Sequence, residues 1–353
     1  MRIGLYGLPC AGKTFILDRV RNFTGLSGSS LLNEIAPDFT SLDENEKEVA
    51  RKKLAISLST ENNFIMDGHY AFGDKVVFTK EDGQLYDAFI YLYVAPEVLM
   101  KRMSESEKNR KYLKHDIQKW QDEEVLMLRK YCHEHDKDFY VVDNPKEGYF
   151  SDISMVLEFI DSIAAGFSCV KFARDIAYKV KGYKNVSLTD GDRTLIKEDS
   201  SMAYGYKTHI FDNNFYTGFQ SWLHDRKFHD FLRLADNEVC EVENMKLTVN
   251  EKVVQNMNGL PVILTSGYFG VWIILADRLK MQMFYGSQMC ADTKYFVTKF
   301  LQENGARVTA LGDSMNDYYM LRQADESYII PKDSGEISSS LKNRDMEGIL
   351  WLN

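Results

Sequence analysis

Two stretches of this 353-residue chain carry residue types whose spacing suits phosphate chemistry. In the first, Gly7-Leu8-Pro9-Cys10-Ala11-Gly12-Lys13-Thr14 follows the pattern G-x-x-x-x-G-K-[ST]. Gly7 and Gly12 let backbone N–H groups converge on an anion, and a helix opening at Lys13 adds partial positive charge. The Lys13 ammonium neutralises terminal phosphates and the Thr14 hydroxyl suits magnesium, so the expected ligands are ATP or another nucleoside triphosphate and Mg2+. Asp67 opens Asp67-Gly68-His69-Tyr70 at the end of a predicted strand. A carboxylate there would face the phosphate loop and hold a magnesium-bound water or take a proton from a substrate hydroxyl. Arg102, Lys108 and Arg110 lie on a charged helical stretch that would close over the transferred phosphoryl group.

The second stretch is Asp190-Gly191-Asp192-Arg193-Thr194-Leu195. Two carboxylates two residues apart at a strand end can reach one pocket, where one attacks phosphorus and the other shuttles a proton. Ser266 follows a second predicted strand, Lys294 precedes a helix, and Gly312-Asp313-Ser314-Met315-Asn316-Asp317 follows a third strand. Carboxylates this crowded repel one another and a phosphate dianion. A divalent ion and Lys294 are therefore needed before Asp190 can approach phosphorus.

Elements that would position these groups are legible in the apolar periodicity. Arg2 to Tyr6, Asn63 to Asp67, Ala88 to Val94 and Asp138 to Val142 read as strands, with helical patterns over Lys13 to Arg21, Pro96 to Tyr131 and Ile153 to Ala165. Asn144-Pro145 interrupts the pattern. A second cycle has strands at Asn185 to Thr189, Leu260 to Leu264 and Arg307 to Leu311. Strands separated by helices imply parallel pairing with right-handed crossovers. The expectation is an α/β chain of two Rossmann-like three-layer domains with parallel sheets, 1–165 and 166–353. A small helical cap at about 200–257 would carry an aromatic interior of Tyr204, Tyr206, Phe211, Phe215, Tyr216, Phe219, Trp222 and Phe228.

Residues 1–145, through the phosphate loop, Asp67-Gly68-His69, the Tyr91-Leu92-Tyr93-Val94-Ala95-Pro96 turn and Arg102, resemble archaeal-type adenylate kinases and their relatives. The lid of that family carries two arginines followed by an acid, whereas this chain has Lys108-Asn109-Arg110-Lys111. The ordered set in residues 185–335 resembles the haloacid dehalogenase superfamily. Leu264-Thr265-Ser266-Gly267-Tyr268-Phe269 and Ala310 to Leu321 are similar to its phosphoserine phosphatase branch. The resemblance implies that Asp190 is the nucleophile and Asp192 the general acid, then base. Ser266 would bond the phosphoryl oxygens, Lys294 would balance charge, and Asp313 and Asp317 would anchor magnesium with Asp190 and Asp192. It also implies Glu198, Arg226 and Gly267 as substrate contacts. Arg193 replaces a small residue and is expected to touch substrate or narrow the pocket.

A formal net charge of -9 supplies no bulk positive field for a phosphate backbone, so nucleic acid is a disfavoured partner. Five cysteines without zinc spacing suit free thiols in a reducing compartment. With no apolar leader or span, the expectation is a cytoplasmic protein without a membrane partner. Together these readings predict a bifunctional enzyme: an ATP-dependent kinase acting on a small metabolite or nucleotide, joined to a magnesium-dependent phosphomonoesterase for a small phosphorylated substrate. The alternatives are a polynucleotide 5′-kinase/3′-phosphatase and a nucleotide-sensing regulated phosphatase.

Overall fold

A computed structural model describes residues 1–144, 153–203, 215–227, 234, 236–281 and 283–352. Pro145 and, of the expected cap interior, Tyr204, Tyr206, Phe211 and Phe228 lie outside the described residues. The chain divides into two compact units, Met1–Phe167 and Ser168–Asn353, each an α/β fold on its own parallel sheet.

In the first unit the strands are β1 (Arg2–Tyr6), β2 (Thr24–Ser27), β3 (Phe64–Asp67), β6 (Ala88–Val94) and β7 (Asp138–Asn144), ordered β2-β3-β1-β6-β7. Between β3 and β6 a small antiparallel hairpin pairs β4 (Ala71–Phe72) with β5 (Lys75–Val76). Strand β6 is buried along its whole length, as a strand covered on both faces must be, and so reads as an unbroken apolar run. Parallel neighbours cannot be joined by tight turns. The connections therefore carry helices, among them α1 (Lys13–Leu17), α2 (Glu44–Leu58), α3 (Pro96–Glu105) and α4 (Ile117–Glu134). Asp43 and Glu46 cap α2 reciprocally, and Pro96 starts α3 where its missing N–H costs nothing. In the β1–β3 register Leu5 lies beside Asp67, so the loop after β1 and the Asp67 carboxylate emerge at the same sheet edge.

The second unit has β8 (Asn185–Thr189), β9 (Leu260–Leu264), β10 (Met283–Tyr285), β11 (Arg307–Gly312), β12 (Glu326–Ile329) and β13 (Leu350–Trp351), ordered β10-β9-β8-β11-β12-β13. Alternation along β9 sends Val262 and Leu264 into one core and Ile263 into another. The first core is completed by α5 (Cys169–Lys179), α7 (Ala291–Glu303) and α8 (Met315–Gln323), through Ile176, Phe296 and Met320. The second is completed by α6 (Phe269–Arg278), through Val271, Trp272 and Leu275. Central β8 has β9 on one side and β11 on the other, so the C-terminal ends of three strands converge. All five cysteines are free thiols. Among the described residues no helix is long and apolar enough to cross a membrane.

One buried acid sets a pH dependence for the first unit. Glu124 of α4 accepts hydrogen bonds from Ala71 N (2.9 Å), Trp120 Nε1 (3.0 Å) and Tyr91 Oη (2.8 Å), tying α4 to β6 and the hairpin. Burial pushes its pKa up to about 7, although the Tyr91 and Ala71 donors pull the other way. The folded state therefore holds this proton where the unfolded chain has lost it. The resulting stability is full below the ordinary carboxyl range and lost as pH rises through about 7, by at most about 1.4 kcal/mol per pH unit. Chemical unfolding of Glu124→Gln across this window should lack that decline; an unchanged slope would show that another group supplies it.

Candidate functional site

The loop after β1 has the backbone its glycines permit: φ is +144° at Gly7 and +100° at Gly12, and Cys10 is also left-handed at +66°. Lys13 is only 6% exposed, and its Nζ donates to the carbonyls of Gly7 (2.5 Å) and Leu8 (3.1 Å). Burial pulls its pKa down to about 8, with Asp67 and Glu124 opposing. The loop opens on a cavity of about 820 Å3 lined by Gly12, Lys13, Thr14, Asp67, His69 and Lys108, among others. Asp67 Oδ1 accepts from Gly28 N at 2.8 Å, which fixes the carboxylate against the start of the helix after β2. That helix start must be glycine, because a Cβ at Gly28 would lie 2.6 Å from the Asp67 carbonyl oxygen.

The structure distributes the expected lid cations unevenly. Arg102 Nη1 reaches the phosphate loop, donating to Cys10 O at 3.1 Å, and Asn109 Nδ2 donates to Cys10 Sγ at 3.2 Å. Arg110 instead donates through Nε and Nη2 to the Ser104 carbonyl, closing off the end of α3. Lys108, Asn109 and Lys111 line the cavity. Sequence reading passed over Asn109, whose short amide carried no signal beyond its place in the lid.

In the second unit the separated stretches converge. Carboxylate oxygens of Asp190, Asp313 and Asp317 lie within 4.8 Å of one another. Lys294, 0% exposed, bridges Asp190 Oδ1 and Asp317 Oδ1, each at 2.7 Å. Asp317 Oδ2 accepts from the backbone N–H groups of Asp313 and Ser314, so the turn that leads into α8 holds the helix's acid in place. Burial, reinforced by Asp317, pushes Asp190 up to about 7 even against the pull of Lys294. Burial and then Asp317 and Asp190 hold Asp313 well above the usual carboxylate range. Lys294 is held above its ordinary value because Asp190 and Asp317 outweigh its burial. One ammonium among three buried or half-buried carboxylates leaves a deficit of positive charge. An oxygen-rich cluster of this kind fits a hard divalent cation such as Mg2+.

Asp192 stands apart from that trio. Its Oδ1 accepts from Ser200 N (2.8 Å) and its Oδ2 from Trp272 Nε1 (3.2 Å), so its carboxylate is held by the protein. Burial, and then Asp199, push it up to about 6. Arg193, left-handed at φ +58°, pairs with Asp199 at 2.9 Å while its own side chain is 59% exposed. Ser266 Oγ donates to Met289 O (2.8 Å) and receives Asn316 Nδ2 (2.5 Å). A Cβ at Gly267 would sit 2.7 Å from Asp192 Oδ2 and 2.4 Å from Trp272 Nε1, which explains glycine there.

The two remaining substrate candidates occupy other positions. Glu198 accepts from Thr248 N at 2.8 Å, joining the loop after β8 to the segment ahead of β9. The Arg226 guanidinium lies over the Trp222 ring, 5.5 Å from its centroid. In this unit Trp272 is a residue that sequence reading missed. A tryptophan inside an apolar helix carries no signal until the fold sets its N–H against a carboxylate.

Residues 6–121 match a family model described as an AAA domain. The match lies within the first unit and supports a P-loop, kinase-like nucleotide-handling domain there. No curated protein matches the chain.

Magnesium should stabilise the second unit through Asp190, Asp313 and Asp317. At a hundredfold excess over its dissociation constant the gain is about 2.7 kcal/mol. Asp313→Asn should be at least as stable as the parent without metal, since one buried charge is gone, and should gain nothing from Mg2+. A metal-induced rise in thermal midpoint that survives the substitution would place the ion elsewhere.

Proposed function

We propose that the chain is a bifunctional phosphotransferase and phosphomonoesterase. The first unit would transfer the γ-phosphoryl group of ATP; the second would hydrolyse a phosphomonoester through an aspartyl-phosphate. The observation that carries the second half is the meeting of Asp190, Asp313 and Asp317 around buried Lys294. The first half rests on the Gly7 to Thr14 loop, its cavity and the family match.

In the second unit Lys294 engages Asp190 Oδ1, which leaves Oδ2 to attack phosphorus. As that O–P bond forms, the bond to the leaving oxygen breaks and Asp192 gives that oxygen a proton. Asp192 then takes a proton from water as the water oxygen attacks phosphorus; the bond to Asp190 breaks and phosphate leaves. Lys294 keeps its charge throughout, because the acids beside it hold the ammonium form. Bound Mg2+ would neutralise the phosphoryl oxygens beside Asp190, Asp313 and Asp317. Ser266 would turn its hydroxyl from Met289 O to a phosphoryl oxygen.

In the first unit the loop N–H groups and Lys13 would hold the triphosphate, with Thr14 available to magnesium. Arg102, already at the loop, would follow the phosphoryl group, and Asp67 would orient the acceptor. Lys47, Arg51, Lys75, Lys108 and Lys111 line the same cavity against Asp67 and Asp82, which favours an anionic acceptor. Nucleotides and nucleic acid ends both belong to that class. A 5′-hydroxyl oligonucleotide bound in a salt-dependent manner and phosphorylated would select the end-repair reading.

On the chain with both units, Asp190→Asn should abolish hydrolysis of an aryl phosphate and leave ATP-dependent transfer intact, while Lys13→Ala should do the reverse. Undiminished hydrolysis by Asp190→Asn would assign the nucleophile wrongly. If the parent transfers phosphate to no acceptor, yet ATP alters hydrolysis in a Lys13-dependent manner, the first unit is a sensor.

A further inference from the structure

We propose that Trp272 is a positioning residue for the second unit's reaction, its indole N–H aiming the Asp192 carboxyl at the leaving-group oxygen. The inference rests on the phosphomonoesterase reading above and adds a residue to it. Trp272 lies on α6, beyond β9, and is wholly buried in the core beside Val271 and Leu275. Most of its ring is packing, but Nε1 leaves the core to donate to Asp192 Oδ2 at 3.2 Å. The same ring touches the two glycines that flank the pocket. A Cβ at Gly191 would meet Cζ2 at 2.4 Å, and one at Gly267 would meet Nε1 at 2.4 Å. The indole is thus wedged between the turn that follows β8 and the turn that follows β9, and its rotamer has no freedom.

The opposite side of Asp192 is held by Ser200 N through Oδ1. That N–H is itself placed by a knitted loop. Arg193 N donates to Glu198 O (3.0 Å), the Arg193 guanidinium pairs with Asp199, and Lys197 N donates to Thr248 O (3.0 Å). Backbone donation from a loop lets the carboxyl rotate about its own axis. A second donor from a buried, unrotatable ring removes that freedom. A proton donor must be held within a few tenths of an ångström and a few degrees of its acceptor to be useful in the transition state. Trp272 thereby couples the core behind β9 to the acid–base step.

Proton donation matters in proportion to how poor the leaving group is, and this gives the test. Wild type, Trp272→Phe and Trp272→His are assayed at saturating Mg2+ on aryl and alkyl phosphates spanning activated to unactivated leaving groups. Trp272→Phe keeps the apolar fill without the N–H. It should lose about 10- to 100-fold in kcat/KM on alkyl phosphates and less than about threefold on dinitrophenyl phosphate, because kcat/KM reports transfer to Asp190 and not the later attack by water, in which Asp192 is the base whatever the leaving group. Trp272→His carries an N–H at the ring position equivalent to the indole's and should recover part of the alkyl phosphate activity. Asp192→Asn should show the same leaving-group dependence, and adding Trp272→Phe to it should cost little more.

Equal losses of kcat/KM on all substrates, or no loss on any, in folded Trp272→Phe would overturn the assignment and leave the phosphatase reading standing. If Trp272→Phe does not fold, full alkyl phosphate activity in a variant with leucine at that position, or none in a folded Trp272→His, overturns it as well. Absence of phosphomonoester hydrolysis by the wild type at any Mg2+ concentration overturns both.

Discussion

The second unit depends on one electrostatic imbalance: a single buried ammonium, Lys294, shared by acids from two strand ends. Burying a carboxylate is costly unless it is paired and hydrogen-bonded. Asp317 meets both conditions through Lys294 and the Asp313 and Ser314 N–H groups just ahead of α8. Asp190 meets them in part, and Asp313 is left to be neutralised by a proton or a cation. A fold that tolerates this deficit must recover the cost elsewhere, and the two apolar cores on either face of the sheet supply the stabilisation. The pocket is thus a place where packing offsets a charge arrangement that would not assemble alone.

The first unit meets a related constraint by different means. Its phosphate loop is rich in backbone donors, and Lys13 is folded back on the loop carbonyls. Burial lowers the Lys13 pKa, and nearby Asp67 and Glu124 oppose that loss. The same region is tied to α4 by Glu124, so the hairpin after β3, the lid side of the cavity and the core of the sheet share one buried acid. The two sites have a common logic, in which rigid strands carry charged groups outward from their C-terminal ends. They differ in how positive charge is supplied, by backbone N–H groups together with buried Lys13 in one and by buried Lys294 shared between acids in the other.

Much of the architecture was legible in the sequence. Strands β1, β6, β8 and β9 run over the residues their apolar patterns indicated, and β7 and β11 extend the reading by two residues and one. These are strands flanked on both sides or covered on both faces, so most of their positions are buried and carry an apolar signal. What escaped was the periphery. Strands β2, β10, β12 and β13 are short; β2, β10 and β13 sit at a sheet edge and β12 next to one. The helix read over Lys13 to Arg21 ends at Leu17, and the long pattern from Pro96 resolves into two helices around a 3₁₀ turn. Lid positions were read less well than strand ends. Arg110 turned back to the Ser104 carbonyl, and Lys108 and Lys111 came to the cavity, because helix phase near a break depends on packing.

By itself the sequence determined which residue types are available to phosphate chemistry and that the phosphate loop, Asp67, Asp190, Ser266 and Asp313 each end or follow an apolar strand, since both follow from local spacing and apolar periodicity. Only the tertiary structure decided their mutual placement. Asp190, Lys294, Asp313 and Asp317 come from segments up to 127 residues apart in number yet share hydrogen bonds or lie within 4.8 Å, a consequence of the β9-β8-β11 strand order. It also decided that Asp192 is held away from the trio by Trp272 and Ser200, and that Glu198 serves the backbone of Thr248. Contacts of that kind depend on which helix covers which face of the sheet, and no local pattern encodes that.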